Sequence, residues 1–124
     1  MTHPHRFRPC HRLHSPADFE RVYKGGTRAG DGLFAVNALS NGLRFARLGM
    51  SVSTRTVGNA VRRNRVRRII REVFREHHSQ LPAVDLVVTS RPGARDAPRP
   101  AIVTSLERLI ERAIPPAPLA AGSA

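Results

Sequence analysis

Cysteine occurs once in the 124-residue chain, as Cys10, so no intramolecular disulfide can form and nothing points to an oxidising compartment. Lysine is equally scarce: Lys24 is the only one among 21 Lys and Arg residues. Acidic residues number 9, which leaves a net charge of +12 and demands an anionic partner such as nucleic acid or an anionic membrane. No apolar run approaches the roughly 20 residues that span a bilayer, and the N-terminus lacks the apolar stretch of a secretory signal. The expected setting is therefore the cytoplasm, with no membrane partner. No Ser-His-Asp set, paired carboxylates or phosphate-cradling glycine loop is evident, and Asp31, Asp85 and Asp96 stand apart from one another. A self-sufficient enzyme is not expected and no catalytic residue is assigned. His3, His5, Cys10, His11 and His14 cluster near the N-terminus without a known ligand spacing, so no metal site and no tightly bound cofactor are expected.

The most informative segment is Ala60 to Arg75, AVRRNRVRRIIREVFR, in which seven of 16 residues are Arg and only Glu72 is acidic. At 100° per residue, Val66, Ile69, Ile70, Val73 and Phe74 form one apolar stripe. Asn64, Arg68, Arg71 and Arg75 point away from it, Arg65 and Arg67 flank it, and Arg62 and Arg63 project past the core edge near the helix start. Cations at a helix N-terminus oppose the macrodipole, a cost that binding explains better than folding does. A merely solvated face mixes acids with bases for i,i+4 pairing, and this one barely does. The planar guanidinium favours phosphate, which it can bind through two parallel hydrogen bonds.

The rest of the chain reads as one domain, 15–114, between a basic arm, 1–14, and a disordered tail, 115–124. Ser15-Pro16 starts a helix that Gly25-Gly26 ends through a left-handed terminal glycine. Its Phe19, Val22 and Tyr23 share a face. Phe19 and Tyr23 are either core residues or a stacking platform for unpaired bases. A short strand near Thr27 to Gly30 is possible. Leu33 to Leu39, the Asn41-Gly42 turn and the alternating Leu48, Met50 and Val52 suggest an antiparallel hairpin. The basic helix runs from about Val57 to His78, DLVVTS at 85–90 is a central strand, and a helix over 101–113 follows. The expected fold is an α+β sandwich of order α-β-β-β-α-β-α, a small mixed sheet with helices packed on it.

Gly58 to Glu72, GNAVRRNRVRRIIRE, resembles the signature of the bacterial ribonuclease P protein subunit, with Arg-Asn-Arg at Arg63, Asn64 and Arg65. RLHSPADFERVYKGG, LGMSVS and DLVVTSRPGA resemble the family's first helix, the strand before the signature, and the strand and loop after it. The resemblance covers about residues 12 to 113. It implies a left-handed β-α-β crossover, against the usual right-handed rule. It also implies a role as the protein subunit of a ribonucleoprotein endonuclease that removes the 5′ leader of precursor tRNA. Catalysis would belong to the RNA subunit and its magnesium, with one protein per RNA. By the same resemblance Arg62, Arg63, Asn64, Arg65 and Arg68 bind the catalytic RNA. Phe19, Tyr23, Asn37, Arg67 and Arg71 line the leader groove. Tyr23 stands where the family pattern expects Phe, and Asn37 where an aromatic can occur. The alternative is a ribosome-associated or structural RNA-binding protein with no role in cleavage. A DNA-binding regulator would need a helix just before the basic one, where a strand is expected.

Overall fold

In the computed structural model, which describes residues 12–13 and 15–114, one strand and its neighbours decide the topology. That strand is β4, Val84–Ser90, whose residues are buried along nearly its whole length. A strand buried on both faces needs neighbours on both edges and cover on both faces. It receives β2 (Phe34–Ser40) antiparallel on one side and β3 (Arg47–Ser51) parallel on the other, while β1 (Thr27–Gly30) adds antiparallel to the far edge of β2. The sheet order is therefore β1-β2-β4-β3.

The Asn41-Gly42 turn exists, with Gly42 at φ +71°, yet β2 and β3 do not form the expected hairpin. Asn41 holds the loop in another course: its side chain donates to the Phe45 carbonyl and accepts from the Leu43 N–H, and its own N–H donates to the Ala83 carbonyl. The loop so passes over the position that β4 fills. β3 and β4 are parallel neighbours joined through helices, which makes the β-α-β unit of this fold.

Alternation along the strands creates two cores. Phe34, Val36 and Ala38 of β2 and Val84, Leu86 and Val88 of β4 face α3 (Ala60–His77) and α4 (Arg99–Ala113). All five residues of the stripe on α3 are buried there, as are Ile102, Leu106, Leu109, Ile110 and Ala113 of α4. Val87 faces the other way and packs with Val22 of α1 (Pro16–Gly25) and with Leu13. The molecule is a sheet between one short helix and a two-helix layer, the α+β sandwich expected.

Several boundaries differ from the sequence reading. The basic helix is not continuous from Val57: α2 (Thr54–Val57) ends at Gly58, whose φ of +102° breaks the helix. Asn59 then caps α3 by accepting from the Arg62 N–H at 3.0 Å. Ser15 caps α1 as expected, accepting from Asp18 N–H at 3.1 Å. Gly26, however, is extended (φ −93°) rather than left-handed. Glycine is needed there because a Cβ would lie 2.6 Å from the carbonyl oxygens of Ala38 and Val22. Leu13, placed in the arm by its sequence neighbours, is buried, and its N–H donates to the Leu48 carbonyl at 2.9 Å. The His/Cys cluster at residues 3, 5, 10, 11 and 14, the rest of the arm apart from Arg12 and Leu13, and the tail 115–124 lie outside the described residues.

Candidate nucleic-acid interface

The cap at Asn59 starts α3 where Arg62, Arg63, Asn64 and Arg65 come within its first turns. The buried stripe then dictates where every other side chain of the helix points. Asn64, Arg68 and Arg75 are exposed, and Arg65, Arg67 and Arg71 are half-buried on the flanks. Arg62 and Arg63 are also half-buried. Arg62 lies 3.9 Å from Asp96, and the Nε of Arg63 is buried without a hydrogen-bond partner. Arg65 donates to the Ala97 carbonyl at 3.1 Å, which steers its guanidinium along the loop before α4. Glu72 forms its ion pair with Arg99 on α4, at 2.8 Å.

On the other flank of α3 a cleft of about 170 Å³ opens against α1 and the edge of β3. Its walls are Arg12, Leu13, Phe19, Leu48, Met50, Arg67 and Arg71. Burial lowers the Arg71 pKa, and the like charges of Arg12, Arg67 and Arg68 lower it further, against a weaker opposing pull from Glu72. Three guanidinium groups, those of Arg12, Arg67 and Arg71, thus share the walls of one cleft, and the like-charge repulsion on Arg71 eases when a phosphate enters. Phe19 forms the apolar wall. Its ring lies over Gly49, where an added Cβ would stand 2.7 Å from the Phe19 Cζ. Tyr23 continues the platform, with ring centroids 6.5 Å apart and planes inclined by 56°. Tyr23 is 43% exposed, so it is not a core residue, and its hydroxyl is 3.3 Å from Thr89 Oγ1.

The structure therefore brings Phe19, Arg67 and Arg71 into one cleft and sets Tyr23 beside it. Asn37 does not join them. It is 4% exposed, between its strand partners Arg28 and Val87 on the sheet face that α1 covers, and it is not a wall of the cleft. Spacing alone did not reveal Arg12, Leu13, Leu48, Met50 or Gly49 as parts of this place. Gly49 carried a signal in retrospect: glycine interrupts an alternating strand where another group approaches the backbone. Asp31, Asp85 and Asp96 are not unpartnered either. Asp31 accepts from Leu33 N–H, Phe34 N–H and Ser105 Oγ, Asp96 neighbours Arg62, and Asp85 lies in a buried cluster with Arg47, Arg21 and Asn41.

A larger cleft of about 480 Å³ lies at the far end of α3 and α4, where His77, Glu107, Arg108 and Glu111 mix both signs of charge. His77 Nε2 is 2.9 Å from Glu107 Oε2. That mixture does not suit a polyanion. Among the described residues no three His, Cys, Asp or Glu side chains gather to hold a metal, and no helix is long and apolar enough to cross a membrane.

A small α+β sandwich whose long helix turns arginines outward on one flank and into an aromatic cleft on the other is a nucleic-acid-binding protein by its surface chemistry. The ribonuclease P family model matches residues 7–114, and the chain belongs to that family as a protein component of the enzyme. It is 39% identical over 97 residues to the ribonuclease P protein component of Nitrosococcus oceani, covering 78% of this chain and 82% of that protein. It is also 39% identical over 103 residues to the Staphylococcus aureus component, covering 82% and 89%. Among solved structures, the RNase P protein of Staphylococcus aureus superposes with a TM-score of 0.78 at 38% identity, over 85% of this chain and 98% of that one. That of Thermotoga maritima gives 0.73 at 30% identity, over 82% and 96%. These likenesses do not favour the reading as a ribosome-associated or structural RNA-binding protein.

Proposed function

We propose that the chain assists removal of the 5′ leader from precursor tRNA by holding two RNAs on two flanks of α3. The observation that carries the reading is the split of one helix's arginines. Arg62, Arg63, Asn64, Arg65 and Arg68 form the surface for the catalytic RNA. Arg67 and Arg71, with Phe19 across the cleft and Tyr23 beside it, take the single-stranded leader. Arginines on the first surface meet phosphates by charge and paired hydrogen bonds. In the cleft a base stacks on Phe19, at about 1–3 kcal/mol per stacked base, while Arg67 and Arg71 neutralise the adjoining phosphates. Buried Asn37 acts by shaping the sheet under α1 rather than by touching the leader.

Magnesium is the cofactor of the RNA-based reaction. The polar groups on both surfaces are mostly guanidinium groups, which repel a cation, so the chain's own sites do not fit a magnesium ion. The protein's contribution is position and charge neutralisation. The protein acts in the cytoplasm, one copy per catalytic RNA.

The test is reconstitution with the cognate catalytic RNA at low magnesium. Cleavage of precursor tRNA should rise sharply on adding the protein, and no rise would overturn the reading. Arg63→Ala should weaken assembly with the catalytic RNA, while Phe19→Ala should weaken the preference for precursor over mature tRNA. Swapped effects would show that the two surfaces are wrongly assigned.

A further inference from the structure

Helix α1 carries Phe19 and Tyr23, yet its only fully buried side chain is Val22. Phe19 is only partly buried against the same cluster, so a roll of the helix about Val22 would tilt both rings relative to the cleft. Something must set that roll.

Asp85 supplies the restraint. It sits on β4, on the sheet face that α1 covers, and its side chain is fully buried. Arg47 on the neighbouring strand β3 binds it with two hydrogen bonds of 2.8 Å, and Asn41 Nδ2 adds a third at 3.0 Å. Burial by itself would raise the Asp85 pKa, but these donors and Arg21 outweigh it and hold the carboxyl below its ordinary value, so it stays charged. Arg47 and Asn41 give Oδ1 two donors and Oδ2 one. Arg21 is nonetheless drawn down from α1 onto Oδ2. Arg21 lies two residues from both Phe19 and Tyr23, which is roughly 200° around the helix from each. The ion pair therefore anchors one flank of α1 while the rings occupy the other, where Tyr23 meets Thr89.

We infer that Asp85 is a positioning residue for leader recognition: through Arg21 it fixes the roll of α1 about Val22 and so sets the Phe19–Tyr23 platform against the arginines of α3. The inference rests on the leader reading of the cleft. It accounts for a buried charge that takes its second Oδ2 donor from α1 although Arg47 and Asn41 already bind both oxygens. It also accounts for an exposed helix arginine whose stronger partner is a carboxylate 64 positions away rather than Asp18 on its own helix.

The test uses the full chain reconstituted with its catalytic RNA. Arg21→Met removes the tie and keeps the apolar stem, and Asp85 retains Arg47 and Asn41, so the fold is preserved even where Asp85→Asn fails to fold. The preference for precursor over mature tRNA should fall about fivefold, the low end of what one stacked base contributes. The loss should appear in KM and not in kcat, affinity for the catalytic RNA should not change, and Arg21→Lys should recover most of it. Because the chain has one tyrosine and no tryptophan, its intrinsic emission reports Tyr23 alone. Acrylamide should quench that emission more readily in Arg21→Met than in the unaltered chain. If Phe19→Ala lowers the preference but Arg21→Met does not, or Arg21→Met lowers only the melting temperature, the positioning role is wrong. If Phe19→Ala itself leaves the preference intact, the leader reading beneath it fails first.

Discussion

Gly49 and Phe19 share one volume, and the backbone yields it to the ring. A Cβ at position 49 would stand 2.7 Å from the Phe19 Cζ, closer than real Cβ atoms approach, and a tight 3.2 Å from Leu13. Gly49→Ala should therefore displace the ring from the cleft wall. The expected cost in stability is about 1–3 kcal/mol, as for other overpacked sites, with a lower precursor-over-mature preference and unchanged affinity for the catalytic RNA. Denaturant melts and the two binding assays check this together. If stability falls and the preference does not, Phe19 is not the stacking wall. At this scale, side-chain types were readable and their partners were not. Asp85 looked like a solitary acid because Arg21 and Arg47, its partners, lie 64 and 38 residues away in the chain.

Helix α3 carries two independent duties on two faces. The stripe from Val66 to Phe74 is buried against the sheet and α4, whereas Arg68 is exposed. Ile70→Ala should cost about 2–5 kcal/mol, measured by urea unfolding, as large-to-small core changes do. Arg68→Ala should leave stability within about 0.5 kcal/mol of the unaltered chain and weaken binding to the catalytic RNA. Loss of stability in the second variant would mean that the outer face also serves the fold. The wheel identified all five stripe residues because periodicity is a property of the helix itself. It did not identify the break at Gly58. A continuous wheel contains no term for the positive φ that separates α2 from α3, and the burial of Val57 that favours the break is a tertiary contact.

Across the whole molecule, charge sets affinity and topology sets selectivity. With a net charge of +12 and arginines on two flanks of one helix, binding should release condensed counterions. If about six phosphates are neutralised, affinity for RNA should fall roughly a thousandfold between 50 and 200 mM salt. A titration of binding against salt checks the slope, and a slope near zero would rule out a phosphate-dominated interface. Double replacement of Arg67 and Arg71 should lower the slope for precursor tRNA without changing that for the catalytic RNA. The sequence by itself determined most of the elements, the apolar stripes, the cationic character and the family, because spacing along one element and local motifs need no knowledge of distant residues. Only the tertiary structure decided that β4 separates β2 from β3, that Arg12 and Gly49 belong to the cleft while Asn37 does not, and that Asp85 is tied to α1. Each of those outcomes depends on which buried surfaces meet. Many weak contacts between residues far apart in the chain settle that, and no single stretch of sequence carries their sum.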